Sequence, residues 1–129
     1  MHLKYVIMYV ENPRETIDFY CKAFDVEPGL ITEEGDYCEV KTGETTLSFS
    51  SFKLMESLGK NPSHADASNP CFEVAFQTED VAGGLAKALS AGAELVQDVK
   101  EEPWGQTTSY VKDMNGFLIE ICSPVTAPA

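Results

Sequence analysis

The chain has 129 residues, 43% of them hydrophobic and 23% charged, which is ordinary usage for one globular domain with a core of its own. Its formal net charge is −12 at pH 7 and its pI about 4.4, so phosphates are repelled: nucleic acid and anionic membrane are poor partners, and a cationic or metal-bound ligand is favoured. Four cysteines (21, 38, 71 and 122) make no CxxC pair, no run reaches the roughly 20 apolar residues of a membrane span, and the N-terminus carries no signal-peptide pattern, which points to free thiols in a reducing cytoplasm.

Residues 3–10 alternate, with Leu3, Tyr5, Ile7 and Tyr9 on one face and Lys4, Val6, Met8 and Val10 on the other, as in a strand. A helix follows. Asn12 is its cap, Pro13 suits the first helical position and Glu15 completes a capping box. Ile17, Tyr20, Cys21 and Phe24 then form an apolar stripe at helical spacing. Strands are predicted near 28–32, 36–42 and 45–51, separated by turns at Glu34-Gly35 and Thr42-Gly43. The stretch 53–70 opens with a helical turn and becomes a polar linker rich in Pro, Asn and Ser.

The pattern then restarts. Residues 72–77 alternate, Asp80 caps a helix with Val81, Leu85, Ala88 and Leu89 on its apolar face, and Gly92 closes it. The Gly83-Gly84 pair weakens that helix unless the backbone must pack closely there. Strands near 94–100, 107–112 and 117–122 complete the half. Val10-Glu11-Asn12 overlays Thr78-Glu79-Asp80, and Gly43 overlays Gly116. The fold expected is α+β: two βαβββ modules, 3–52 and 71–123, joined by the linker 53–70 within a single domain over 1–129. In each module the helix covers one sheet face. The other faces would curl into a cup-like mixed sheet with a ligand cavity.

Two stretches carry a family resemblance. VIMYVENPRETIDFYCKAF (6–24) resembles the opening strand and helix, and PWGQTTSYVKDMNGFLIEICSP (103–124) the closing hairpin, of the glyoxalase/bleomycin-resistance/dioxygenase (vicinal oxygen chelate) superfamily. With FEVAFQTEDV between them, the resemblance spans nearly the whole chain. It implies a divalent metal (Ni, Zn, Mn or Fe) held by four inward side chains and acting as a Lewis acid on vicinal oxygens. It places those four at Tyr5, Ser48, Glu73 and Glu120. Alternation of the neighbouring apolar residues also turns these four away from the helices. Only Glu73 and Glu120 are ligand-competent carboxylates, so the quartet is incomplete. His2 has the wrong parity for the site, and His64 lies in the linker.

Glu73 and Glu120 are accordingly the candidate catalytic and metal residues. Tyr5, Ser48, Tyr9, Gln77, Trp104 and Ser109 are candidates for binding a ligand. Trp104 is either a stacking wall or a core plug. Cys71 and Cys122, two residues from either glutamate, share their face but fall at opposite ends if the two strands run parallel. There is no nucleophile elbow, Cys–His pair, P-loop or dinucleotide motif. The expected function is a small-molecule-binding protein, its ligand cationic or aromatic, with no metal requirement. The alternative is a divalent-metal-dependent glyoxalase-like lyase or isomerase, or a dioxygenase-related enzyme. A third possibility is an idle paralogue. The resemblance implies a homodimer.

Overall fold

The computed structural model describes residues 1–126; the remaining positions of the expected domain, 127–129, lie outside the described residues. The chain forms two compact units, Met1–His64 and Ala65–Ala129. The first holds β1 (Tyr5–Val10), α1 (Pro13–Phe24), β2 (Glu27–Ile31), β3 (Tyr37–Lys41), β4 (Thr46–Ser51) and the short α2 (Phe52–Ser57). The second holds β5 (Val74–Gln77), α3 (Val81–Ser90), β6 (Glu94–Glu102), β7 (Gln106–Lys112) and β8 (Leu118–Cys122). No helix among the described residues is long and apolar enough to cross a membrane.

Each unit contains one four-stranded mixed sheet, in the order β1-β4-β3-β2 and β5-β8-β7-β6. The first strand of each unit runs parallel to the last, and the other pairs are antiparallel. This is the βαβββ plan: a crossover helix returns the chain so that the fourth strand can insert beside the first.

The two longer helices, α1 and α3, begin as the sequence dictates. The Asn12 side chain accepts from the Glu15 amide, with Pro13 in the first turn, and the Asp80 side chain accepts from the Gly83 amide. The glycine pair has a structural reason. A Cβ on Gly83 would push the Asp80 carboxylate out of its capping position, and one on Gly84 would press on Ile121 Cγ2 at 3.2 Å, so glycine leaves both the cap and the helix–sheet approach undisturbed. The stripe on α1 is shifted from the one expected. Thr16, Ile17, Phe19, Tyr20 and Ala23 are buried and Cys21 is only partly so. The cause is an aromatic cluster in which Phe19 meets the edge of Tyr20, and Tyr20 packs on Phe49 of β4 with ring centroids 4.8 Å apart.

One face of each sheet is committed to this packing. Met8, Val10, Cys38, Val40, Leu47 and Phe49 are buried in the first unit, and Val111, Ile119 and Ile121 in the second. Strand alternation leaves the residues between them on the opposite face. Phe72 departs from the alternation expected of residues 72–77: it precedes β5, is 45% exposed, and meets Phe117 edge-on.

Candidate functional site

In the C-terminal unit, the face opposite α3 is fixed by the register of β8. Glu120 lies between Ala75 of β5 and Tyr110 of β7. Glu73 stands just before β5, two residues ahead of Ala75, and so is not directly opposite Glu120. Tyr110 joins them: its hydroxyl lies 3.1 Å from Glu73 Oε2 and 3.1 Å from Glu120 Oε2. A phenol has one proton, so it can satisfy only one of the two carboxylate oxygens at full strength. Burial, and then the Glu120 charge, push the Tyr110 pKa well up. The phenol stays protonated and acts as a donor.

Sequence reasoning missed Tyr110 and chose Ser109 in its place. Ser109 is opposite Ile121, is fully buried on the α3 side, and donates to the Ile121 carbonyl at 3.0 Å. The one-residue error follows from strand parity, which the pairing with β8 decides and the polar run Gln106–Tyr110 does not reveal. A usable signal was present: Val111 is the clear apolar residue of that strand, and its parity places Tyr110 on the other face.

Cys122 is buried on the face of Glu120, and its thiol is pushed up by burial and then by the Glu120 charge. Cys71 is exposed and outside any strand. Gln77 is exposed at the end of β5, opposite Cys122. Trp104 is not a core plug. It is 55% exposed, and its Nε1–H donates to Gln106 Oε1 at 2.8 Å, while Gln106 Nε2 donates to the Ser123 carbonyl. Gln106 has the strand parity of Tyr110, four residues away, or roughly 13 Å along β7.

In the N-terminal unit, Ser48 occupies the equivalent central place, between Ile7 of β1 and Glu39 of β3. Tyr5 is opposite Thr46, two residues earlier on each strand, and 47% exposed, with the Lys4 ammonium 5.6 Å from its ring centre. Tyr9 is opposite Ser50, and its ring faces the Lys60 ammonium at 5.7 Å. The Tyr37 hydroxyl donates to Glu39 Oε2 at 2.7 Å. Burial raises the Tyr37 pKa, and the Ser48 hydroxyl eases that rise, but the two hydroxyls are not in hydrogen-bonding geometry. Ser48 Oγ is buried and has no hydrogen-bond partner among the described residues. A hydroxyl left in that state costs about 1–3 kcal/mol. His64, outside this face, packs on the Phe52 ring with centroids 4.4 Å apart.

These residues do not fit the divalent metal that the resemblance implies. No group of three or more His, Cys, Asp or Glu that could hold a metal occurs among the described residues. Ser48 and Tyr5 are poor ligands, and the two available carboxylates are already bridged by the Tyr110 phenol.

A glyoxalase-like domain model matches residues 3–126. The chain belongs to the glyoxalase-like domain family. Solved structures agree on the fold of this glyoxalase-like domain. A glyoxalase-related enzyme from Fulvimarina pelagi superposes with a TM-score of 0.83 at 17% identity, over 100% of this chain and 99% of that one. A glyoxalase/bleomycin resistance protein/dioxygenase family enzyme from Burkholderia phytofirmans PsJN gives 0.78 at 18% identity, over 95% and 98%. TioX from Micromonospora sp. ML1 gives 0.73 at 20% identity, over 95% and 98%. At these identities the likeness concerns the fold alone. No curated protein gives a significant match to the sequence.

Proposed function

We propose that this glyoxalase-like domain binds a small cationic, donor-rich molecule, and that Glu73, Tyr110 and Glu120 receive its charged group without a metal. The observation that carries the proposal is one phenol proton offered to two carboxylate oxygens, both at 3.1 Å. An ammonium or amidinium supplies the missing donors as well as the countercharge. The net charge of −12 adds long-range attraction for a cation. Trp104, pinned by Gln106 yet open to solvent, offers a flat surface for an aromatic part of the ligand. Binding without turnover accords with the lack of a nucleophile–base pair in the sequence. We infer further that the protein acts as a homodimer in the cytoplasm. The exposed apolar side chains of Leu95, Val96 and Val99 on β6 and the four free cysteines support those two inferences.

Benzamidine, a planar amidinium, is the probe. In isothermal titration the wild type binds it, and Glu73→Gln and Glu120→Gln each weaken binding at least tenfold, or about 1.4 kcal/mol. EDTA has no effect. Equal binding by all three proteins would overturn the proposal. Binding that appears only after addition of Ni²⁺, Zn²⁺, Mn²⁺ or Fe²⁺ would favour the metal-dependent lyase or isomerase instead.

A further inference from the structure

We propose that Ser48 and Glu39 form a separate recognition element in the N-terminal unit, one that takes a neutral amide-type edge: Ser48 donates to its carbonyl oxygen and Glu39 accepts from its N–H. The inference rests on the reading that the domain binds a small molecule, and it concerns the N-terminal unit alone.

Ser48 and Glu39 are direct cross-strand partners, so they share a face and their Cβ atoms lie roughly 5 Å apart. That spacing suits the two polar atoms of one amide. Ser48 is 0% exposed, and its Oγ has no hydrogen-bond partner among the described residues. Its other strand neighbour, Ile7, is apolar. The neighbouring Tyr37 hydroxyl gives its proton to Glu39 Oε2, and its oxygen is not in hydrogen-bonding geometry with Ser48 Oγ. Glu39 keeps a second oxygen and Ser48 keeps its proton, giving one acceptor beside one donor.

The chemistry selects among ligand groups. A carboxylate would meet the Glu39 charge. A simple ammonium would satisfy Glu39 but offer Ser48 no acceptor. An amide, lactam or similar heterocyclic edge offers both. Because the hydroxyl has no exposed surface, a side chain on that face must move before it can bind; Tyr5 and Ile7, 47% and 46% exposed on the neighbouring strand, are the side chains nearest solvent.

The test pairs two probes, neutral benzamide and cationic benzamidine, in NMR titrations of wild type, Ser48→Ala and Glu39→Gln. Benzamide is expected to shift the amides of residues 39 and 48 in the wild type, and to bind at least tenfold more weakly to both variants. Benzamidine is expected to bind wild type and Ser48→Ala alike. Without probe, Ser48→Ala should melt about 2–5 °C higher, because the unpaired hydroxyl is gone. Lower melting of Ser48→Ala would mean that a buried water already satisfies the hydroxyl, and would overturn the inference. So would unchanged benzamide binding in the variants, or no binding by the wild type. If benzamidine still binds, only this inference falls. If neither probe binds the wild type, the small-molecule reading falls with it.

Discussion

In the N-terminal unit the central residue of the face opposite the helix is Ser48, set between Ile7 and Glu39; in the C-terminal unit it is Glu120, set between Ala75 and Tyr110. The strand order around each is the same, and so is the apolar packing behind it, Phe49 in one unit and Ile121 in the other. Each unit also places a tyrosine hydroxyl on a carboxylate of this face, Tyr37 on Glu39 and Tyr110 on Glu120. The residues differ on the face that does not pack against a helix. A βαβββ unit needs one apolar face to fold, so that face keeps its pattern in both copies, while the other is free to carry different chemistry. Here one copy holds a neutral hydroxyl and a single carboxylate, and the other holds two carboxylates around one phenol.

The largest effect should come from the faces the units have in common. Phe49→Ala removes a fully buried ring that packs on Tyr20, and is expected to cost about 3–5 kcal/mol in urea unfolding; Ile121→Ala should cost about 2–5 kcal/mol. A loss below about 1 kcal/mol in either would break the equivalence of the two cores. The helix caps offer a finer comparison. Asn12→Ala and Asp80→Ala should each cost about 1 kcal/mol, measured the same way. Asp80→Ala should be the better tolerated of the two when combined with Gly83→Ala, since the cap is what excludes a Cβ at residue 83.

The faces that differ should be separated by pH and by thiol chemistry. Tyr110 holds its proton more tightly in the folded chain than an unfolded tyrosine does, with a pKa of about 10 in the latter. The folded state then binds the extra proton, so stability is at its full value below about pH 10 and falls above it. Tyr110→Phe should flatten that fall. Absorbance titration should find one fewer late-ionising tyrosine in the variant, and an identical curve would remove Tyr110 from the site. The smallest effect is on cysteine labelling. Exposed Cys71 should react first with a thiol reagent, and Cys38 and Cys122 should lag, because both are buried and burial raises both pKa values. Equal rates would mean that these faces open readily.

Much of this molecule was legible in its sequence. The alternation of residues 3–10, the caps at Asn12 and Asp80, and the restart of the pattern near residue 72 depend on local chemistry: strand period, side-chain capping and turn glycine. They specify the two βαβββ halves and put Tyr5, Ser48 and Glu120 on strand positions away from the helices. Tertiary structure decided what lies beside what. Pairing with β8 set the parity of β7, replacing Ser109 with Tyr110, and the start of β5 at Val74 left Glu73 to reach Glu120 through a phenol. The unpartnered state of Ser48 was equally invisible, because a hydroxyl's partners come from other strands and local sequence does not name them.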